Sequence, residues 1–298
     1  MKTHLDGMYA ALLTGFDDDG AFCPRRQANI ISYVANQGLH GLYIGGSSGE
    51  SGLMSPDELL EQQSVIHSLR DKIPGNIIAH VGLPSVRDTV RLAKQAQTLG
   101  FDAISALPPH SYPFSDEEIR AYYTELATAT DLPLIIYEIP FRTNRPLPMA
   151  LLLELLDLPN VDGIKFTSSD LYKLSQLRRQ RPDKTYFFGT DEMYVAAAAL
   201  DPLGGIGTTY NALGKLFVAA FDAMTSVDLE TARRLQKISQ DYVDILLETG
   251  VVPGVKLTLE ILGHDVGPAR RPMGLKTSDA REVLSHFVNR PDIKEWLA

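Results

Sequence analysis

Lys165 is a lysine inside an apolar segment, with Ile164 before it and Phe166 after it. Lysine is seldom fully buried, and burial lowers the pKa of an amine because it disfavours the charged form. A neutral amine attacks a ketone carbon, so this position suits imine formation. A strand-end lysine that extends to solvent or pairs with an acid accounts for the pattern equally well. The residue by itself leaves both interpretations open.

Two more polar segments lie at the ends of apolar runs. Gly46-Ser47-Ser48-Gly49 offers hydroxyl and backbone N–H groups in a tight turn, which suits a carboxylate, although glycine and serine dominate ordinary turns as well. Tyr137 closes the run Leu134-Ile135-Ile136, where its hydroxyl is either part of the core or a proton shuttle above an imine. Each pattern taken alone favours the purely structural interpretation.

The other motifs argue against metal and phosphate chemistry. The seven histidines are scattered and no carboxylates are paired at ligand spacing, which disfavours a metal-dependent aldolase. Neither G-x-G-x-x-G nor a Walker pattern is present. The glycine-rich segment 204–207 is of a kind that binds phosphate in late barrel loops, but Asp191 and Glu192 nearby disfavour an anion there. We therefore expect no metal and no cofactor.

Composition and charge disfavour several classes of partner. The chain has 298 residues and a formal net charge of −9, which argues against nucleic acid or an anionic membrane. No apolar run reaches the length of a membrane span, and the segment from Met1 to Asp6 lacks the apolar region of a signal peptide. The single cysteine, Cys23, allows no internal disulfide and favours a reducing compartment. We expect a cytoplasmic protein that binds a small molecule.

The elements that must position these residues alternate between short apolar runs and longer amphipathic segments. The candidate strands are 9–16, 41–46, 76–82, 103–107, 132–139, 161–166, 185–189 and 204–208. Several are apolar almost throughout, as parallel strands covered by helices are. Helix starts are indicated at Ser55, which precedes Pro56, and at Ser115, which forms a capping box with Glu118. Segments 85–99 and 169–181 also have helical spacing.

Eight alternations of strand and helix predict an α/β fold, a closed (β/α)8 TIM barrel with additional C-terminal helices. An open doubly wound sheet usually has a glycine-rich phosphate turn after its first strand, where this chain has Asp17-Asp18-Asp19-Gly20. We expect residues 1–225 to form the barrel and residues 226–298 to form helices packed on it, interrupted at Pro253 and Gly254. Active sites of such barrels lie at the carboxyl ends of the strands.

Together the motifs resemble the dihydrodipicolinate synthase / N-acetylneuraminate lyase family of class I aldolases, over nearly the whole chain. Gly46-Ser47-Ser48-Gly49-Glu50 is similar to the family's G-[ST]-[ST]-G-E carboxylate loop, and Tyr137-Glu138-Ile139-Pro140 to its Y-N-[IV]-P segment. Gly163-Ile164-Lys165 is similar to the G-[IL]-K that carries its Schiff-base lysine. The order and spacing of the three segments agree with the family.

The resemblance implies a role for each of these residues. Lys165 would form a Schiff base with a 2-oxo acid, and Tyr137 would donate and accept protons. Ser47 and Ser48 would hold the carboxylate of the substrate. The resemblance also implies a homotetramer.

Three segments are closer to the lyase branch of the family than to the synthase branch. They are 167–172, 189–192 and 205–211, which resemble T-S-G-D-L-Y, G-Y-D-E and G-I-G-S-T-Y-N. The resemblance implies that Gly189 belongs to the substrate site and that four side chains contact sugar hydroxyls: Thr167, Asp191, Glu192 and Thr208.

Several positions depart from the family's pattern. Arg142 stands where the synthase branch has an arginine for a second carboxylate and the lyase branch usually has leucine; a solvent-facing loop arginine is the alternative. Glu138 replaces the usual asparagine, which predicts a change in pocket polarity, and Thr190 replaces a tyrosine. Ser111 stands where the family often has a tyrosine that reaches a neighbouring subunit, with Tyr112 after it as a possible substitute.

The hypothesis we favour is an N-acetylneuraminate lyase-like enzyme that converts a 2-oxo acid to pyruvate and an aldehyde. The same imine chemistry suits 4-hydroxy-tetrahydrodipicolinate (dihydrodipicolinate) synthase, which condenses pyruvate with aspartate semialdehyde, or an aldolase or dehydratase of 2-keto-3-deoxy sugar acids. A pyruvate-binding sensor on a barrel scaffold is the non-enzymatic alternative, since a fold alone confers no activity. The presence of both Lys165 and Tyr137 argues against a sensor.

Overall fold

The computed structural model describes residues 5–200 and 203–298, so residues 1–4 of the N-terminal segment considered above lie outside it. Eight parallel strands form a closed barrel in chain order, with the last paired to the first. The strands are β1 Met8–Ala11, β2 Gly41–Ile44, β3 Asn76–His80, β4 Ala103–Ala106, β5 Leu134–Glu138, β6 Val161–Phe166, β7 Thr185–Phe188 and β8 Gly204–Gly207. The predicted (β/α)8 TIM barrel is confirmed.

Helices follow the strands around the outside of the barrel. They are α1 Pro24–Val34, α2 Pro56–Ser68, α3 Val86–Thr98, α4 Asp116–Ala129, α5 Pro140–Thr143, α6 Met149–Leu156, α7 Leu171–Gln180, α8 Tyr194–Ala198, α9 Tyr210–Thr225, α10 Leu229–Thr249, α11 Val251–Ile261 and α12 Ala280–Val288. Short 3-10 turns occur at Ala35–Gln37, Ser51–Leu53, Arg70–Lys72, Asp191–Met193 and Lys294–Trp296. No helix within the described ranges is both long enough and apolar enough to cross a membrane.

All the predicted strands are present, but most end earlier than predicted. The largest difference is at β1, which was predicted to reach Phe16 and ends at Ala11. Leu12 still donates its N–H to the Tyr43 carbonyl (2.9 Å) before the chain leaves the ladder. Leu13 and Phe16 are fully buried in the loop that follows. The loop is apolar because it is buried, and its sequence therefore resembles that of a strand.

The predicted helix starts agree with the structure at Ser55, Ser85 and Ser115 and differ at Ser169. Ser55 and Glu58 form a reciprocal capping box, with Glu58 N–H to Ser55 Oγ at 3.2 Å and Ser55 N–H to Glu58 Oε2 at 2.8 Å. Ser115 caps α4 in the same way. Helix α7 begins later than predicted, because Asp170 rather than Ser169 is its N-cap and accepts from the Lys173 N–H at 2.9 Å.

The C-terminal helices are interrupted at Gly250 rather than at the predicted Pro253 and Gly254. Gly250 has a φ of 102°, which glycine adopts readily, and it separates α10 from α11. Pro253 lies in the first turn of α11, where the proline's missing N–H removes no helical hydrogen bond. The side chain of Gln236 on α10 donates to the Asp191 carbonyl at 3.1 Å, which ties this helix to the end of β7.

Alternation along the strands divides the core into two layers. Tyr9, Tyr43, Ile135, Tyr137 and Phe187 belong to the buried cluster inside the barrel. The intervening residues face the helices and form the larger cluster between strands and helices. A side chain near a strand's carboxyl end therefore faces either the mouth of the barrel or the helices around it.

Candidate active site

Lys165 lies on the inner face of the barrel at the carboxyl end of β6. Its Cα pairs with that of Tyr137 on β5 and with that of Phe187 on β7. The residue is 4% exposed, and its Nζ lies 4.2 Å from the centroid of the Tyr137 ring and 4.3 Å from that of Tyr43. Burial lowers the pKa of Lys165 to about 7, and the negative charge of Asp191 opposes this shift. A large fraction of the amine is thus unprotonated near neutral pH.

Tyr137 is buried beside this amine. Burial raises the pKa of the Tyr137 phenol, while the hydroxyls of Ser47 and Thr167 and the charge of Arg142 act in the opposite direction. Ser47 Oγ and Thr167 Oγ1 are themselves buried, and neither has a hydrogen bond of good geometry within the described residues. Buried polar groups are normally hydrogen-bonded, so both hydroxyls are candidates for contact with a ligand.

The Ser47–Ser48 turn links the end of β2 to the end of β8. Ser48 Oγ and Thr208 Oγ1 are hydrogen-bonded at 2.6 Å. Inside the turn, the Glu50 N–H donates to the Ser47 carbonyl at 3.1 Å, and both Gly45 and Glu50 have a positive φ. The turn therefore presents two adjacent hydroxyls toward the cavity that contains Lys165.

Asp191 is a buried carboxylate that lines the same cavity. Its Oδ2 accepts hydrogen bonds from the backbone N–H and the hydroxyl of Thr209, at 2.9 and 2.6 Å. Burial raises the pKa of Asp191 to about 6, against the effect of these two hydrogen bonds. Oδ1 is buried and has no hydrogen-bond partner among the described residues. Glu192, the next residue, is half-buried.

Arg142 lies on the short helix α5 at the mouth of the barrel. Its side chain is exposed, yet it lines the same cavity as Lys165. A Cβ added to Gly52 would lie 3.4 Å from Arg142 Nη2, so the guanidinium extends toward the turn that follows Ser47 and Ser48. The position is compatible with an anionic group at the far end of a substrate.

The structure brings all ten predicted site residues around one cavity of about 660 Å³: Ser47, Ser48, Tyr137, Arg142, Lys165, Thr167, Gly189, Asp191, Glu192 and Thr208. Its volume is in the range of small-molecule sites. The individual roles of these residues remain predictions. Nowhere in ranges 5–200 and 203–298 are three or more His, Cys, Asp or Glu side chains grouped to hold a metal ion.

One prediction about departures from the family's pattern is wrong, and the one about Ser111 and Tyr112 stays a prediction. Glu138 does not change the polarity of the cavity, because it faces the helices, where it accepts from the Leu147 N–H at 3.0 Å and pairs with Lys173 Nζ at 3.4 Å. Ser111 and Tyr112 do not line the cavity. Both are exposed, Tyr112 to 73%, and their contribution to a neighbouring subunit stays a prediction.

Sequence reasoning missed two groups beside the reactive amine. Tyr43 lies over Lys165 and donates to Ser105 Oγ at 3.1 Å. His80 is buried behind it, with Nδ1 3.0 Å from the Gly45 carbonyl and Nε2 accepting from the Leu107 N–H at 3.3 Å. Burial lowers the pKa of His80 to about 3, so the ring stays neutral. Strand alternation places Tyr43 inside the barrel, and this was the available signal.

The cavity also has an apolar wall that the sequence analysis did not predict. It is formed by aliphatic side chains of α10 and α11: Val243, Leu246, Leu247, Val251 and Val252. Leu247 is 56% exposed and Val251 36% exposed, so the wall reaches the surface at the mouth of the barrel. The C-terminal helices therefore form part of the site as well as packing on the barrel.

A closed (β/α)8 barrel with a buried lysine, a tyrosine and a serine pair at the carboxyl ends of its strands defines a lyase of the class I aldolase type. A model of the dihydrodipicolinate synthetase family matches residues 4–290. The chain belongs to this family, as its motifs predicted.

Known relatives refine the position of the chain within the family. The N-acetylneuraminate lyase of Rhizobium meliloti (strain 1021) is 42% identical over 269 residues, covering 90% of this chain and 89% of that protein. That of Escherichia coli (strain K12 / DH10B) is 37% identical over 278 residues, covering 92% and 93%. The crystal structure of CdNal from Clostridium difficile in complex with mannosamine has a TM-score of 0.93 at 32% identity, covering 99% and 100%. The predicted closeness to the lyase branch is confirmed.

Proposed function

We propose that this protein cleaves N-acetylneuraminate to pyruvate and N-acetylmannosamine through a Schiff base on Lys165. The proposal is supported most strongly by the Lys165 amine, which is buried, has a pKa of about 7 and lies in one cavity with Tyr137 and the Ser47–Ser48 turn. The named lyases among its relatives support the choice of substrate.

The reaction begins when the neutral Lys165 amine attacks the C2 carbonyl of the 2-oxo acid. The substrate carboxylate binds to the hydroxyls of Ser47 and Ser48. Tyr137 donates its phenol proton to the departing C2 hydroxyl, so that water leaves and a protonated imine forms, with its positive charge beside the Tyr137 phenolate. That charge lowers the pKa of the phenol at the stage when a base is needed.

Tyr137 accepts the proton of the hydroxyl on C4 as the C3–C4 bond breaks. The electron pair of that bond moves into the protonated imine and gives an enamine, and C4 leaves as the aldehyde carbon of N-acetylmannosamine. Protonation of the enamine at C3 and addition of water at C2 then release pyruvate and restore the Lys165 amine. The atoms balance without a redox step.

The remaining cavity residues bind the sugar part in this proposal. Thr167 and Thr208 offer hydroxyls, and Asp191 and Glu192 accept hydrogen bonds from sugar hydroxyl groups. Asp191 contributes through Oδ1, because Thr209 already occupies Oδ2. Gly189 leaves space where a side chain would meet Thr167.

Reduction with borohydride in the presence of pyruvate tests the proposal. We expect a reduced pyruvyl adduct on the wild-type protein, no adduct on Lys165→Ala, and an unchanged adduct on Lys94→Ala, which removes an exposed lysine of α3. Turnover of N-acetylneuraminate should be lost in Lys165→Ala alone. An adduct that persists in Lys165→Ala would show that the proposed nucleophile is wrong. Pyruvate binding without an adduct or turnover would instead support the sensor.

A second candidate uses the same imine with an aldehyde that carries an acidic group. Arg142 at the mouth of the cavity favours it, because a guanidinium binds a carboxylate in a bidentate manner. Aspartate semialdehyde is one such aldehyde, and those from 2-keto-3-deoxy sugar acids with a second, terminal carboxylate are others. Rates of aldehyde-dependent pyruvate consumption separate the two, and a preference for aspartate semialdehyde over N-acetylmannosamine would reverse our ranking.

We also propose a homotetramer, on the basis of family membership. The exposed Tyr112 and the adjoining cavity lined by residues 108–114 provide a surface that a second copy would cover. Light scattering after size-exclusion chromatography tests this proposal. A monomer at micromolar concentration would contradict it without affecting the assignment of Lys165.

A further inference from the structure

A buried ion pair lies directly behind the Ser47–Ser48 turn, on the side away from the cavity. Glu50 Oε1 is 2.7 Å from Lys256 Nζ, and the two side chains are 0% and 2% exposed. Burying two charges has a large desolvation cost, which the pairing offsets only if the other hydrogen-bonding positions are also occupied. Each partner of the pair makes one further hydrogen bond, through Lys256 Nζ and through Glu50 Oε2.

Both partners of the pair bind to the segment that follows α11. Glu50 Oε2 accepts the Arg270 N–H at 2.7 Å. Lys256 Nζ donates to the Pro268 carbonyl at 2.8 Å and lies 4.7 Å from the centroid of the Phe16 ring. The carboxylate of Glu50 is thus held by α11 and the chain after it, more than 200 positions away in sequence.

The backbone of the same turn is held from a second side. The Thr14 hydroxyl donates to the Gly49 carbonyl at 2.6 Å, and Gln62 donates to Thr14 Oγ1 at 2.7 Å. Glu50 itself has a φ of 61°, in the left-handed region that non-glycine residues seldom adopt without support. Two separate networks therefore fix the residues just after Ser48.

We propose that Glu50, paired with Lys256, is a positioning residue for the substrate carboxylate. It anchors the Ser47–Ser48 turn to the C-terminal helices, so it sets the affinity for the 2-oxo acid and takes no part in imine chemistry. The inference rests on the function proposed above. It assigns to the C-terminal helices a role in binding pyruvate through a contact outside the cavity.

Replacing Glu50 by glutamine separates positioning from chemistry. The amide keeps the shape and still accepts the Arg270 N–H, but it leaves the Lys256 ammonium without its counter-charge in a buried site. Burial already lowers the pKa of Lys256, so loss of a proton limits the damage to the fold. The rate of adduct trapping on Lys165 is measured over a range of pyruvate concentrations. We expect the pyruvate concentration that gives half of the maximal rate to rise roughly tenfold. The rate at saturation should change less than about twofold, because the amine is untouched.

The matched control is Glu58→Gln. Glu58 Oε2 accepts a hydrogen bond from Arg270 Nη1 at 3.1 Å, and Glu58 makes no contact with the Ser47–Ser48 turn. A glutamine at this position preserves the capping box with Ser55. We expect wild-type half-saturation from this variant. If Glu50→Gln folds poorly, Glu50→Gln/Lys256→Met removes both charges and supports the same measurement, since replacing a buried pair by apolar or neutral groups is often tolerated.

A double-mutant cycle with Ser48→Ala distinguishes positioning from general loosening of the structure. If Glu50 acts through the turn, Glu50→Gln will raise half-saturation much less in the Ser48→Ala background than in the wild type. The inference would be overturned if Glu50→Gln raised the half-saturating pyruvate concentration by the same factor in both backgrounds. It would also be overturned if Glu50→Gln alone left that concentration unchanged. Absence of any pyruvyl adduct on the wild type would instead overturn the proposed function.

Discussion

Gly189 and Thr167 lie so close together at the ends of β7 and β6 that no side chain fits between them. A Cβ on Gly189 would come 2.0 Å from Thr167 Oγ1 and 3.2 Å from Lys165 Cε. The Gly189 N–H also donates to the Phe166 carbonyl at 3.0 Å, which fixes the backbone at this point. The absence of a side chain thus determines where the Thr167 hydroxyl and the reactive lysine lie.

Replacing Gly189 by alanine should therefore displace Thr167. We expect kcat/KM for sialic acid cleavage to fall by one to two orders of magnitude, and stability to fall by about 1–3 kcal/mol through overpacking. Enzyme assay and thermal unfolding measure the two effects. Gly274→Ala is the matched control, because a Cβ there would meet no atom within 4 Å. Wild-type activity in Gly189→Ala would show that the position of Thr167 is unimportant.

The rate of imine formation should depend on pH through the Lys165 amine. Because burial lowers the pKa of Lys165 to about 7, the neutral nucleophile increases as pH rises through 7 and the rate then levels off. Cyanoborohydride trapping of pyruvate at a fixed subsaturating concentration, from pH 5.5 to 9, measures this dependence. A rate that still increases tenfold per pH unit above pH 8 would indicate an ordinary lysine pKa.

Removing the charge of Asp191 should shift that pH dependence. The carboxylate of Asp191 opposes the effect of burial on Lys165, so Asp191→Asn should move the midpoint of imine formation to lower pH. The same series of trapping rates provides the measurement. Glu154→Gln, an exposed change in the pair with Arg120, should leave the midpoint in place. A midpoint that moves upward in Asp191→Asn would contradict the assigned interaction.

The buried lysine should also reduce the stability of the fold. Since the folded-state pKa of Lys165 lies below its unfolded value of 10.5, the unfolded chain binds more protons between pH 7 and 10.5. The free energy of unfolding therefore rises with pH across this window. Lys165→Met should be more stable than the wild type at pH 7, by up to several kcal/mol, and should have a flatter pH profile. Denaturant unfolding at pH 7 and pH 9 tests both statements.

The sequence was sufficient for the barrel and for the ten predicted residues around its cavity, because both depend on local patterns. Eight alternations predicted the fold, and the rule that barrel sites lie at strand ends brought Lys165, Tyr137 and Ser47 together. Lys165 was detectable because a lysine is out of place in an apolar strand. The family resemblance then gave each residue a role.

Contacts between distant parts of the chain could not be predicted in this way. The pairing of Glu50 with Lys256 and the apolar wall from α10 and α11 depend on how the C-terminal helices pack, and no local pattern encodes that. Glu138 follows the inward-facing Tyr137, so strand alternation directs it to the helices, which its motif alone does not show. The predicted strand ends were wrong where loop residues such as Phe16 are as buried as strand residues.

The side chain of Arg142 should decide which aldehyde the enzyme uses. In Arg142→Leu we expect KM for N-acetylmannosamine in the condensation direction to stay within about twofold of wild type, because a neutral sugar needs no guanidinium. KM for an aldehyde with a terminal carboxylate should rise by about tenfold or more, since a charge-assisted bidentate contact is lost. Arg145→Leu is unsuitable as a control, because Arg145 pairs with Asp116.

Arg87→Leu provides a better control, because Arg87 is an exposed residue of α3 that does not line the cavity. It should leave KM for both aldehydes unchanged. If Arg142→Leu raises KM for N-acetylmannosamine and for the acidic aldehyde by the same factor, Arg142 shapes the mouth of the cavity and does not recognise the carboxylate of the aldehyde. A different result would be a rise in KM for the acidic aldehyde alone, with that aldehyde also the better substrate of the wild type. An acidic aldehyde would then replace N-acetylmannosamine as the physiological substrate, and the reaction would still proceed through the imine on Lys165.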